Sequence, residues 1–250
     1  MKNIGLPAIA AVLVMVLIGG TIGYIWLPRV AFPDQDFYAA WCSAFGVPGN
    51  WAPASGPPLT ISSDVELTPG VMGAAQPSDL GRGSSLAQRC SMCHGPTGIT
   101  YAGAPKLTGQ YPIAIFKQLR DYRSGTRANA IMKGMAQALT DDEMRQLAVY
   151  YASLHRSASS GPVGSAPAIV KWGAPMRNIA PCGSCHGDID HTLAGPWLEG
   201  EPEAYLRSQL TAFASDERHN DIDAQMRVIA HAMSPQEIEQ AAAYYAGARQ

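Results

Sequence analysis

Hydrophobic and polar positions alternate in three different ways along the chain. From Ile4 to Leu27 almost every residue is apolar, no charge falls between Lys2 and Arg29, and Tyr24 and Trp26 sit near the far end. About 20 apolar residues rising ~1.5 Å each cross a hydrocarbon core, so this run predicts a transmembrane helix within residues 1–28. A cleaved signal peptide is the alternative, but its apolar region usually spans about 7–15 residues and ends in small residues. Tyr24-Ile25-Trp26-Leu27-Pro28 has no such site, and its aromatic pair suits a membrane interface. From 29 to 79 no period is sustained. Val47-Pro48-Gly49 and Pro53-Ala54-Ser55-Gly56-Pro57-Pro58 mark irregular chain. Phe32, Phe37, Tyr38, Trp41 and Phe45 make this segment too apolar for a pure tether, so it is expected to dock on the membrane or on another subunit. Cys42, inside that cluster, reads as a buried free thiol, or as an intersubunit contact or disulfide.

Beyond residue 80 the period becomes helical. Met144, Leu147, Ala148 and Tyr151, and again Ile238, Ala241, Ala242 and Tyr245, follow the i, i+3, i+4, i+7 pattern of a buried helix face. Thr140-x-x-Glu143 and Ser234-Pro235-x-Glu237 are capping boxes that start those helices, the second with Pro in the first turn. Helices also fit 111–124 and 202–214, with short ones entering each cysteine motif. The fold class is all-α.

The two helical stretches are copies of one another. Cys90-Ser91-Met92-Cys93-His94 recurs as Cys182-Gly183-Ser184-Cys185-His186 at an offset of 92. Leu107-Thr108-Gly109-Gln110 matches Leu198-Glu199-Gly200-Glu201, and Gln118-Leu119 matches Gln209-Leu210, both at 91. Met132 matches Met226, and Tyr150-Tyr151-Ala152 matches Tyr244-Tyr245-Ala246, both at 94. A near-constant offset over so many features is a duplication. It predicts domains at 80–158 and 170–250, joined by a linker at 159–169. Each has about 80 residues, so a bound group must supply much of its core.

Composition sharpens this picture. Charged residues make up 15% of the chain, against roughly 25% in ordinary soluble domains, and 47% are hydrophobic. A net charge of −2 excludes a globally basic nucleic-acid binder. The charge is uneven: residues 80–158 hold ten Lys or Arg against four Asp or Glu, and residues 170–250 hold six against eleven. The first half is therefore +6 and the second −5. Such an imbalance is either a solvated face or a pair of docking sites for two unlike partners, since complementary potentials steer encounter.

C-x-x-C-H is the attachment signature of c-type haem. Two thiols one helical turn apart reach the two vinyl groups, and the following His falls under the iron as proximal ligand. A zinc ribbon needs four ligands per site, and a thioredoxin-like redox pair has no use for the His. Two copies in register therefore predict two covalently bound haem c groups, on Cys90 and Cys93 with His94 as iron ligand, and on Cys182 and Cys185 with His186. Met132 and Met226, 38 and 40 residues after those histidines and equivalent in the repeat, are the candidate sixth ligands, expected on the loop before the terminal helix. Met92, Met135, Met144 and Met233 read as packing residues, and a thioether ligand raises the potential as an electron carrier needs. No catalytic triad, nucleotide loop or other catalytic motif is visible.

These residues resemble the class I cytochromes c, specifically the tandem dihaem cytochrome c4 family. The shared run is Gly83-x-x-Leu86, Cys90-x-x-Cys93-His94-Gly95, Pro105-x-Leu107-x-Gly109-Gln110, Met132-x-x-Met135-Ala136 and Ala148-x-Tyr150-Tyr151, repeated through Cys182, Cys185, His186, Pro196, Leu198, Met226 and Tyr244-Tyr245. The resemblance spans about residues 80–250. It implies two tandem class I cytochrome c domains in which the carbonyls of Pro105 and Pro196 orient the proximal histidines. The chain departs from the family pattern in the acidic loop Gly187-Asp188-Ile189-Asp190-His191 and at Glu201, where the family carries Gln.

The expected function is that of a membrane-anchored periplasmic dihaem electron carrier. It would sit in a bacterial inner membrane, single-pass, and run from a quinol:cytochrome c reductase to a terminal oxidase. The alternative is an electron-accepting subunit of a periplasmic dehydrogenase, or a permanent cytochrome subunit of an oxidase complex. Direct catalysis at a haem would need a displaceable sixth ligand, against which the two methionines argue.

Overall fold

A computed structural model describes residues 6–26, 30, 62–63, 65–68, 70–73, 76–99, 103–156, 165–187 and 195–247. Cys42, the surrounding aromatic cluster and the acidic loop at 188–191 lie outside these residues. The chain divides into two compact units, Met1–Pro58 and Leu59–Gln250.

In the first unit, helix α1 covers Leu6–Thr21, and the winding changes to a π-helical turn at Ile22–Trp26. Gly19, Gly20 and Gly23 weaken helical propagation here, and the Thr21 hydroxyl donates back to the Leu17 carbonyl at 2.7 Å. Over the described residues the regular α-helix therefore covers 16 residues before the winding changes. Among the described residues no helix is long and apolar enough to cross a membrane.

The second unit is built from helices, with one isolated bridge, Ala174 to Ile179, as the β-type pairing among its described residues. In its first half, α2 (Pro77–Ala87), α3 (Ser91–His94), α4 (Pro112–Ser124), α5 (Ala130–Gln137) and α6 (Asp141–Ser153) enclose one core. Phe116, Met144, Leu147, Ala148 and Tyr151 fill it. The second half repeats the plan with α7 (Ala168–Lys171), α8 (Gly183–His186), α9 (Glu203–Ala214), α10 (Gln225–Ala232) and α11 (Pro235–Ala246) around Ile169, Ile179, Leu206, Ile238, Ala242 and Tyr245.

Both expected capping boxes form. Thr140 and Glu143 satisfy each other's backbone N–H at the start of α6, as do Ser234 and Glu237 at the start of α11. Part of the segment read as tether or docking strand packs on this chain itself. Val65 is buried in the first core, and the Ser63 hydroxyl donates to Asp121 at 2.5 Å. The helix before the second motif is reduced to four residues against eleven before the first, with a 3-10 turn, Pro175–Arg177, completing the approach.

Candidate haem sites

Each cysteine motif forms one helical turn. His94 N–H donates to the Cys90 carbonyl at 2.9 Å, and His186 N–H to that of Cys182 at 3.0 Å. Residues three and four apart share a helix face, so the second thiol and the imidazole of each motif each lie one turn from the first thiol. None of the four cysteines is in a disulfide. His94 is buried, and its Nδ1 lies 2.9 Å from the Pro105 carbonyl oxygen; His186 Nδ1 lies 2.8 Å from that of Pro196. A carbonyl only accepts, so Nδ1 carries the proton in both rings and the Nε2 lone pair is left for a metal. Burial also pushes both imidazoles toward the neutral form that ligation requires. This donor set fits a covalently attached haem, whereas among the described residues no cluster of His, Cys, Asp and Glu gathers as a zinc site would need.

The rest of each frame is reproduced in both halves. Gly109 and Gly200 adopt left-handed backbone (φ 64° and 75°), and their N–H groups donate to the carbonyls of Tyr151 and Tyr245 at 2.8 and 2.7 Å. That ties the turn after each histidine-orienting proline to the terminal helix. Tyr151 stands beside the Cys90 sulfur and Tyr245 beside that of Cys182, and burial pushes both thiols up. In the sequence these tyrosines read as helix-face and repeat features, not as neighbours of the cysteines.

Met132 and Met226 are half-buried and lie within α5 and α10, not on loops before the terminal helices. The cause is local, a side-chain cap in the first half and a buried ion pair in the second. Asn129 Oδ1 accepts from Met132 N–H at 2.9 Å and opens α5 just upstream of the methionine. In the second half Asp221 accepts from Arg227 N–H and Nε, both at 2.8 Å, in a buried pair, and Asp223 and Ala224 take left-handed conformations before α10. A left-handed alanine is strained, a feature that concentrates at functional sites. Among the other methionines, Met144 and Met233 are buried as packing residues should be, but Met92 is 92% exposed.

The halves meet through equivalent residues. Arg127 donates to Gln118 at 2.7 Å and to Gln209 at 2.6 Å, and Arg218 donates to Gln209 at 2.7 Å. Lys117, buried, donates to Asp121 and to the Asn220 carbonyl, each at 2.5 Å. Gln110 brackets Trp197, accepting its N–H at 2.7 Å and donating to its carbonyl at 3.0 Å. Glu201 accepts from Lys106 N–H at 2.9 Å.

Comparison with known proteins agrees with this geometry. The Cytochrome c family model matches residues 80–155. The chain is 37% identical to a thiosulfate dehydrogenase electron acceptor of Stutzerimonas stutzeri over 68% of its length and 83% of that protein's. It is 35% identical to cytochrome c4 of Thiocapsa roseopersicina over 64% of its length and 88% of that protein's. The crystal structure of reduced recombinant cytochrome c4 from Pseudomonas stutzeri superposes with a TM-score of 0.60 at 30% identity, covering 68% of this chain and 98% of that one.

The chain belongs to the dihaem cytochrome c4 family. It is an electron-transfer protein with two covalently bound haem c groups, and its partners are redox proteins.

The charge distribution of this cytochrome needs one correction. Of the charges counted above, Arg127 and Glu201 are buried and serve the contact between the halves, and Lys117 with Asp121 and Arg227 with Asp221 are buried as ion pairs. The basic first half keeps exposed cations at Arg82 and Arg89, ahead of the first motif, and at Lys133 next to Met132 in sequence. The acidic second half exposes Glu203, Asp216, Glu217, Asp223 and Glu239.

Proposed function

We propose that each repeat is a class I cytochrome c domain, 80–158 and 170–250, in which the residues above hold one haem. Cys90 with Cys93, and Cys182 with Cys185, carry the thioethers. His94 and His186 are the proximal ligands, oriented by Pro105 and Pro196, and Met132 and Met226 are the distal ones. When bound, the haem supplies a reversible one-electron couple. The chain holds each imidazole in the Nδ1-protonated tautomer, excludes water with the core side chains, and fixes the two centres within one compact unit. The observation that carries this reading is the identical histidine-to-proline-carbonyl contact in both halves.

In this reading the cytochrome is tethered by the apolar segment at residues 4–27 to a bacterial inner membrane with its haem domains in the periplasm, where it relays electrons from a quinol-oxidising complex to a terminal oxidase. The length of that apolar run and its lack of a small-residue cleavage site support the tether. A second reading has a specific support, the likeness to a thiosulfate dehydrogenase electron acceptor: the cytochrome receives electrons from a periplasmic dehydrogenase.

Gentle isolation of the native protein from washed membranes tests both. Retention after a high-salt or alkaline wash with an oxidase or quinol-oxidising complex is expected. Release by the wash contradicts the tether, and co-isolation with a dehydrogenase favours the second reading.

A further inference from the structure

One peptide group links each proximal histidine to the opposite half. The Pro105 carbonyl that accepts from His94 Nδ1 belongs to the same peptide as the Lys106 N–H, which donates to Glu201 Oε2 at 2.9 Å. The Pro196 carbonyl that accepts from His186 shares its peptide with the Trp197 N–H, which donates to Gln110 Oε1 at 2.7 Å. Glu201 and Gln110 are equivalent positions of the repeat and both are buried. The two chains of hydrogen bonds thus have the same connectivity and differ in their last member. It is an amide on the chain that leads to His186 and a carboxyl on the chain that leads to His94.

Hydrogen bonds in series polarise one another, most strongly in a poorly solvated interior. A carboxylate pulls on the Lys106 N–H harder than an amide oxygen does. The Pro105 carbonyl becomes more negative, draws the His94 proton further, and makes the imidazole a stronger donor to ferric iron. The carboxylate charge favours the ferric state as well. Gln110 does the same structural work for His186 without a charge.

We propose that Glu201 and Gln110 are reciprocal positioning residues for the proximal histidines of the opposite halves, and that Glu201 lowers the reduction potential of the first haem in its ionised form. The proposal rests on His94 and His186 being those ligands. Burial raises the Glu201 pKa to about 8, against the attraction of Lys106 and Arg127. Arg156 stands over the adjacent rings of Tyr111 and Trp197, at 4.9 and 4.4 Å. Below this pH the carboxyl is protonated and resembles the amide; above it the full effect is present. The potential of the first haem therefore falls as pH rises through this range. By linkage, an electron on the first haem favours a proton on Glu201.

The test is a spectropotentiometric titration of the holoprotein from pH 6 to 9, with each haem followed separately by magnetic resonance. Glu201→Gln is expected to raise the first haem's potential at pH 9 and to abolish its pH dependence, leaving the second haem unmoved. The shift in the electron equilibrium between the haems is about tenfold, 59 mV for one electron. Gln110→Glu is the independent arm and should lower the second haem's potential, so the proposal stays testable if Glu201→Gln does not load haem. Unmoved potentials in either loaded variant, with the iron spectra intact, overturn the proposal. A wild-type holoprotein lacking histidine–methionine spectra contradicts instead the ligand reading beneath it.

Discussion

Arg127 and Arg218 lie 91 residues apart, at equivalent positions of the repeat, and both donate to the side chain of Gln209. Arg127 also reaches the Tyr205 hydroxyl at 3.1 Å and stacks over the Tyr122 ring at 4.7 Å. The contact between the halves is therefore made by a duplicated pair, arginine and glutamine, meeting its own copy. Hydrogen bonds to a charged group contribute ~1.5–3 kcal/mol each, and buried acceptors left unpaired cost more than the bond itself. Arg127→Ala should destabilise the folded unit by about 3 kcal/mol on that scale. Denaturant unfolding of the holoprotein checks it, and a loss below about 1 kcal/mol would show the contact to be incidental.

The Lys117–Asp121 pair is buried on both sides, and Asn220 Nδ2 donates to the same carboxylate at 2.7 Å. Removing one member of such a pair costs ~3–5 kcal/mol, because the other charge stays buried. Asp121→Ala should fall in that range. Lys117→Met combined with Asp121→Leu should recover most of the loss, and a double variant no better than the single one would contradict this account of the pair.

Close helix packing has its own signature at Gly83. A Cβ there would stand 2.3 Å from the Gln146 carbonyl oxygen and 2.6 Å from Tyr150 Cβ. Backbone cannot yield as a flexible side chain can, so Gly83→Ala must part α2 from α6, at ~1–3 kcal/mol. A lowered melting temperature with both haems retained is the expected outcome.

Acid stability should depend on Glu237. Its side chain bonds Arg177 and caps Ser234, which hold its carboxyl down at about 2. A depressed folded value means that the stabilisation is present above the ordinary value of 4.5 and is lost as pH falls toward 2. Glu237→Gln should be less stable than the parent at pH 6, and the two should converge only as pH falls to about 2. Parallel acid-unfolding curves would contradict the assignment.

Glu201 carries the opposite sign. Its folded value, about 8, lies above its unfolded one, so its contribution is fully present below 4.5 and is lost as pH rises through 8. The Glu201→Gln variant should overtake the parent in stability on the alkaline side. Identical stability profiles between pH 5 and 9 would show that the carboxyl is not buried as described.

Much of this was legible in the sequence because the duplication doubled every signal. A single C-x-x-C-H or a single methionine is weak, but two in register predicted both motif turns, and the capping boxes at Thr140 and Ser234 form as expected. The pairing of Pro105 with His94 and of Pro196 with His186 came from family resemblance, and the distances agree. The Asn129 cap and the buried Asp221–Arg227 pair were not legible, so Met132 and Met226 were expected on loops. The role of Arg127, Glu201 and Gln110 was also hidden, because burial between the halves depends on how they meet and no periodicity encodes that. Exposed Met92 shows the reverse error, an apolar residue assigned to packing by type alone.

The central claim is that two equivalent sites in this chain each hold one haem, and intact mass measurement after acid–acetone extraction tests it most directly. The parent should retain two haems, Cys90→Ser with Cys93→Ser only the second, and Cys182→Ser with Cys185→Ser only the first. A parent retaining one haem or none, or a variant of one motif that empties both sites, would contradict it.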